Sequence, residues 1–154
     1  MVYVATRNEK NALKSAKKYA KYMHLSKQAV YDQLTFDFDK FSPEDAQCAI
    51  DHLKVNFNKI SLKAGKTYSK TLHFSKQGIY DQLTSEFDKY PREEAQYVID
   101  HLKVNFNENA LKTAESYQKN MIMSTDAIKE QLVSPYGDKF TEEEAEYATQ
   151  HLEN

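Results

Sequence analysis

Near the start of the chain, apolar residues recur three and four positions apart. Leu13, Ala16, Tyr19, Ala20 and Met23 share one helical face, and Lys14, Lys17, Lys18 and Lys21 share the opposite one. That is the period of a half-buried surface helix, predicted from about Asn11 to Met23. The pattern returns as Leu62, Gly65, Tyr68 and Leu72, and again as Leu111, Ala114, Tyr117 and Met121. Each stretch runs into a turn and a second short helix. The three turns are Met23-His24-Leu25-Ser26, Leu72-His73-Phe74-Ser75 and Met121-Ile122-Met123-Ser124, spaced 49 residues apart. Each serine can accept a hydrogen bond from an unpaired amide at a helix start. The residue before each serine is apolar (Leu25, Phe74, Met123), as is the residue four after it (Val30, Ile79, Ile128). Such a pair is a hydrophobic staple that sets the angle of entry into the helix.

A third helical segment completes each unit. Ser42-Pro43-Glu44-Asp45 and Thr141-Glu142-Glu143-Glu144 are helix-start signals, while Pro91-Arg92-Glu93-Glu94 lacks the capping hydroxyl. The apolar face follows as Ala46, Ala49, Ile50, Leu53; Ala95, Val98, Ile99, Leu102; and Ala145, Ala148, Leu152. The loops before these helices carry aromatics at Phe38, Phe87 and Tyr136 and at Phe41, Tyr90 and Phe140. All six are expected to plug the gap between helices. The third loop is one residue longer, with Gly137 as the insertion, suited to positive φ.

The period implies an all-α architecture: three tandem three-helix repeats of helix-turn-helix type, at residues 9–57, 58–106 and 107–154. They are joined by the short linkers Leu53-Lys54-Val55-Asn56-Phe57-Asn58 and Leu102-Lys103-Val104-Asn105-Phe106-Asn107. Asn58 and Asn107 are expected to cap the following helices, with Phe57–Leu62 and Phe106–Leu111 as further staples. A continuous helix through each linker is the competing geometry. A unit of about 45 residues is near the lower limit for folding alone, so burial between repeats is expected.

Composition narrows the function classes. Hydrophobic residues at 40% and charged residues at 29% fit a folded chain. The net charge of −2 is unevenly spread: residues 108–154 carry four basic and ten acidic side chains. The cluster Glu142, Glu143, Glu144 and Glu146 is therefore the candidate surface for a basic partner, with a solvated helical face as the plain reading. No apolar run approaches the roughly 18–20 residues of a membrane helix. Met1-Val2-Tyr3-Val4 is too short for a signal-peptide core, so the expectation is either an internal protein or an export segment outside this sequence. Cys48 aligns with Tyr97 and Tyr147 and is expected at a half-buried helix position.

Candidate chemistry is sparse. His52, His101 and His151 close the third helices, where a cation suits the helix C-terminus. They come one per repeat, which does not suit a metal site, and His24 and His73 give way to Ile122. No nucleophile–base pair, glycine-rich phosphate loop, zinc spacing or paired-carboxylate motif is present. No catalytic residue, cofactor site or metal ligand is therefore assigned, and the chain is expected not to be an enzyme. A DNA-binding reading would send Lys27, Gln28 and Lys76 into a groove, but Asp32 and Asp81 would meet phosphate repulsion. Thr125, Asp126 and Glu130 in the third copy suit DNA poorly, so no nucleic-acid partner is expected.

The segments Ser75-Lys76-Gln77-Gly78-Ile79-Tyr80-Asp81-Gln82-Leu83-Thr84-Ser85-Glu86-Phe87 and Glu93-Glu94-Ala95-Gln96-Tyr97-Val98-Ile99-Asp100-His101-Leu102 resemble the Ltp family. So does Ala110-Leu111-Lys112-Thr113-Ala114-Glu115-Ser116-Tyr117 with its linker. These are host cell surface-exposed lipoproteins of temperate phages and Gram-positive bacteria. The resemblance implies repeated helix-turn-helix domains that do not bind DNA. It implies superinfection exclusion on the outer face of a Gram-positive cell membrane, where the phage tape measure protein is the partner and entry of phage DNA is blocked. Cys48 lies inside a helix and cannot be the lipidated residue, so anchoring would use an N-terminal segment absent from this sequence. A bacterial adhesion or cell-wall module is the alternative role, and a helix-turn-helix DNA-binding protein is the second.

Overall fold

Side-chain capping marks where most of the helices begin. In the computed structural model, which describes residues 3–154, the order is α1 (Arg7–Met23), α2 (Lys27–Thr35), α3 (Pro43–His52), α4 (Phe57–Leu72), α5 (Lys76–Leu83), α6 (Arg92–His101), α7 (Phe106–Met121), α8 (Thr125–Val133) and α9 (Glu142–Gln150). There is no strand among the described residues. Met1 and Val2 of the short apolar start lie outside them. The Oγ atoms of Ser26, Ser75 and Ser124 accept the amides of Ala29, Gly78 and Ala127 at 3.1, 2.9 and 3.2 Å. Val30, Ile79 and Ile128, the inner halves of the expected staples, are at most 1% exposed.

The expected caps at Asn58 and Asn107 are corrected by two residues. Asn56 Oδ1 accepts the amides of Asn58 and Lys59, and Asn105 Oδ1 those of Asn107 and Glu108. An Asn two residues before the amide it serves caps better than one already inside the turn, so α4 and α7 begin at Phe57 and Phe106. Residues 53–56 and 102–105 are non-helical, so the linkers are turns rather than continuous helix. Helix α1 starts earlier than its apolar period suggests, at Arg7, because Thr6 Oγ1 accepts the Glu9 amide at 3.1 Å.

The chain divides into two compact units. One runs to Ala64 and includes Leu83–Tyr97; the other comprises Gly65–Gln82 and Val98–Asn154. In the first, α1 packs on α3 and α2 packs against both. Ala12, Ala16, Ala20 and Ala46 are fully buried and Ala49 is 1% exposed, so the helix surfaces meet on small side chains. Val30 and Leu34 supply bulk from α2. In the second, α7, α8 and α9 pack pairwise. They enclose Ala110, Ala114, Ile128, Leu132, Phe140, Ala145 and Ala148, flanked by Leu111, Tyr117 and Leu152. Burying each Leu or Ile of this kind contributes about 1.5–3 kcal/mol. The middle repeat holds the same volume differently. Its Gly65 lies where the other copies have Ala16 and Ala114, and a Cβ there would come within 2.5 Å of Val98 Cγ1. The counterparts of Val98 are Ala49 and Ala148.

Two turns in each repeat adopt left-handed backbone on residues other than glycine. His24, His73 and Ile122 follow the first helices with φ of 53, 56 and 52°. Lys40, Lys89 and Lys139 lie in the loops before the third helices with φ of 54, 57 and 61°. Each costs about 1–2 kcal/mol, recovered from bonds that the turns make possible. Phe41, Tyr90 and Phe140 then donate their amides to the carbonyls of Leu34, Leu83 and Leu132 at 2.9, 2.8 and 2.8 Å.

Two expectations for these loops are corrected. Gly137 does not take positive φ; Lys139, two residues on, does. Glycine is needed there because an added Cβ would come within 2.6 Å of the Gln131 carbonyl oxygen. Nor do all six aromatics fill gaps. Tyr90 and Phe140 are 4% exposed, but Phe38, Phe87 and Tyr136 are 89%, 77% and 100% exposed. They precede the left-handed residue, so the backbone turns them outward.

Candidate functional site

In the first and third repeats the loop before the third helix is anchored first by its own repeat. Tyr19 donates its phenol hydrogen to Asp39, and Tyr117 donates to Asp138 Oδ2 at 2.7 Å. Burial, then the bond to Asp138, pushes the Tyr117 phenol up to about 12. Burial also raises Asp138, against the lowering effect of that bond. The loop is thus held stiffly from beneath before it meets anything else.

In the second and third repeats this loop plugs into the repeat before it. Ser26, already capping α2, donates its hydroxyl hydrogen to the Asp88 carbonyl at 2.5 Å. Ser75 donates likewise to the Asp138 carbonyl at 2.5 Å. These serines are 0% and 1% exposed, so each hydroxyl spends both its donor and its acceptor capacity inside the protein. Lys89 pairs with Asp32 at 2.5 Å, and Lys139 pairs with Asp81. Burial would raise Asp32, but bonds from Lys89 and Gln28 outweigh it and hold the carboxyl below its usual value. Lys27 sits over the Phe57 ring at 5.7 Å and Lys76 over the Phe106 ring at 5.8 Å. Nearby, Glu94 Oε1 is buried with no hydrogen-bond partner among the described residues, and burial raises its carboxyl.

The carbonyls freed by the left-handed turns are satisfied differently at the two junctions. Tyr90 donates its phenol hydrogen to the His24 carbonyl. Phe140 has no hydroxyl to do the same; Thr113 Oγ1 instead shares its one hydrogen between the His73 carbonyl at 3.2 Å and the Asn109 carbonyl of its own helix at 2.9 Å. Asn109 Nδ2 adds bonds to the Phe74 carbonyl at 3.0 Å and to Ser69 Oγ at 2.9 Å. The first junction has Ile60 and Ala64 at the positions of Asn109 and Thr113.

At the helix starts that a DNA-binding reading sends into a groove, those of α2 and α5, the capping serines are buried against the following loop, while Lys27, Gln28 and Lys76 remain exposed. Their lysines rest on aromatic rings and Gln28 donates to Asp32 at 2.9 Å.

The four acidic residues picked from the sequence do not form one set. Glu144 Oε1 accepts the Thr141 amide at 2.9 Å while Thr141 Oγ1 accepts the Glu144 amide, a reciprocal cap of α9. Glu146 pairs with Lys129 at 2.5 Å and accepts from Gln150. Only Glu142 and Glu143 present open, exposed carboxylates.

Cys48 is half-buried, as its helix position suggests. Its Sγ donates to Glu9 Oε2 at 3.3 Å and lies 3.3 Å from the Tyr3 hydroxyl. Burial and the Glu9 carboxylate push the thiol up, the reverse of what an activated nucleophile needs. His52 and His151 bond through Nδ1 to the carbonyls four residues earlier, at 2.7 Å each, and stack on Tyr3 and Tyr147. Among the described residues no group of three or more His, Cys, Asp or Glu side chains is placed to hold a metal ion. No helix among them is long and apolar enough to cross a membrane.

Known proteins place this architecture. A family model described as host cell surface-exposed lipoprotein matches residues 7–53, 56–102 and 105–152. Among solved structures, the chain is similar to Ltp, a superinfection exclusion protein from the Streptococcus thermophilus temperate phage TP-J34. The two are 40% identical with a TM-score of 0.59, over 65% of this chain and 100% of that one. No protein of curated function matches.

Proposed function

Since the chain belongs to the host cell surface-exposed lipoprotein family, we propose that it acts in superinfection exclusion, as a non-enzymatic protein displayed on the cell surface. The observation that carries this reading is 40% identity to a superinfection exclusion protein along that protein's whole structure. The chemistry is consistent with contact rather than turnover: polar groups at the junctions are occupied in holding repeats together. On this reading the target is the tape measure protein of an incoming phage, and contact with it stops DNA entry. Exposed Glu142 and Glu143 are its electrostatic guide, with Glu144 and Glu146 adding charge from their structural places. Long-range attraction of this sort raises the encounter rate and weakens as salt rises.

The test is expression on the surface of a sensitive Gram-positive host, followed by phage challenge. Adsorption should stay normal while intracellular phage DNA and plaque number fall together. Normal plaque numbers would overturn the exclusion reading. Reversal of all four glutamates to lysine should reduce protection and binding to tape measure fragments. Unchanged binding would remove the acidic surface and leave exclusion to be explained by another face.

A further inference from the structure

Each junction is built from two halves carried by successive repeats, so the chain has one of each half left over. The third repeat presents an empty seat. Ile122 holds the left-handed conformation of His24 and His73, with φ 52° and 89% exposure. Ser124 caps α8 as Ser26 and Ser75 cap theirs, yet it is exposed where they are buried. Glu130 stands where Asp32 and Asp81 receive lysines, and among the described residues it has no ion-pair partner. The first repeat presents an unused plug. Lys40 has the φ of Lys89 and Lys139 and, among the described residues, no ion-pair partner. The Asp39 carbonyl corresponds to the carbonyls that Ser26 and Ser75 bind.

We infer that the open seat of the third repeat receives the plug loop of the first repeat from a second copy of this chain. The contact repeats the internal junctions: Ser124 hydroxyl to Asp39 carbonyl, Lys40 ammonium to Glu130 carboxylate, and Ser15 hydroxyl to the Ile122 carbonyl. Asn11, exposed here, takes the place of buried Asn109 and reaches the Met123 carbonyl. Both halves already hold their docked backbone, so little ordering opposes association. One component is missing from both sides together. Thr125 replaces the seat lysine and Asn8 replaces the ring beneath it, so no cation is stranded. The contact is weaker than the internal junctions for that reason. It is also heterologous, with unlike surfaces meeting, so it builds a ring or an open row rather than a two-fold dimer.

The experiment is sedimentation velocity of the full chain from about 10 μM to 1 mM at low salt, the range in which contacts without a large apolar core are measurable. The weight-average coefficient of the native protein should climb with concentration. Lys40→Glu alone and Glu130→Lys alone should each associate at least about tenfold more weakly, through like-charge contact. An equimolar mixture of the two should recover native association, because every plug then finds an opposite seat. A native protein that stays monomeric throughout overturns the inference, which includes the case of a seat reserved for a foreign chain. So do single variants that associate like the native protein, or a mixture that fails to recover. The native series decides alone should either variant fold poorly.

Discussion

The two internal junctions share a plan and differ in the donor beneath it. At the first, Tyr90 fills the seat with its ring and satisfies the His24 carbonyl with its hydroxyl. At the second, Phe140 keeps the ring and loses the hydroxyl, and the neighbouring helix supplies Thr113 and Asn109 instead. What persists is therefore the requirement rather than the residue. A left-handed turn leaves a carbonyl facing the interface, and a buried carbonyl without a donor costs about 1–3 kcal/mol. Either element packed against it can meet that need.

The strongest way to break the parallel is to remove the ring. Tyr90→Ala and Phe140→Ala should each cost about 3–5 kcal/mol in urea denaturation, as for other buried aromatics. A small loss at either site would mean that its plug is not seated. Asn109→Ala comes next, at about 2 kcal/mol, because it strands both Ser69 Oγ and the Phe74 carbonyl in a buried setting. Tyr90→Phe follows at about 1 kcal/mol: Ala64, the first-junction counterpart of Thr113, offers no hydroxyl to replace the lost donor, but half-buried His24 keeps some access to water. Thr113→Ala should cost a similar amount. Adding Phe140→Tyr to Thr113→Ala should restore most of it by importing the first junction's chemistry, and a double-mutant cycle reads this directly. No recovery would show that the two seats differ in shape as well as in donor.

The ion pairs should matter least. The Lys89–Asp32 side chains are 41% and 39% exposed, and those of Lys139–Asp81 are 33% and 38% exposed. Solvent screening limits each to below about 1 kcal/mol, less at high salt. The acid limb has a definite sign. Asp32 is held below the ordinary 3.8, so its contribution is complete above that value and disappears as pH falls through its own lower pKa. The cost of Lys89→Ala should vanish over the same window, as thermal melts in an acid series would show.

The repeats, the serine caps and their staples were legible because each depends on residues within one turn of each other. The caps of α4 and α7 were misread by two positions: Asn56 and Asn58, like Asn105 and Asn107, both suit a cap, and periodicity sets no sharp start. Phe38, Phe87 and Tyr136 looked like gap fillers by composition, but a left-handed lysine that no glycine announces directs them outward. The junctions escaped because their hydrogen-bond partners lie 35 to 66 residues apart. A signal was nonetheless present: an acid at 32, 81 and 130 and a lysine at 40, 89 and 139. A charge preserved in register through three copies, on opposite sides of one loop, marks a contact between copies. The acidic cluster was visible as charge, but which glutamates were engaged was not, since reciprocal capping and the Lys129 pair depend on helix α9 being in place.

Every repeat carries a seat at one side and a plug at another, so copy number is free to vary. Unequal recombination between the 49-residue coding periods can add or delete a whole module in frame. Each interior boundary in the product would still pair a serine with a carbonyl and a lysine with an acid. Lineages can thus lengthen or shorten such a molecule in one genetic event, without inventing a new surface each time.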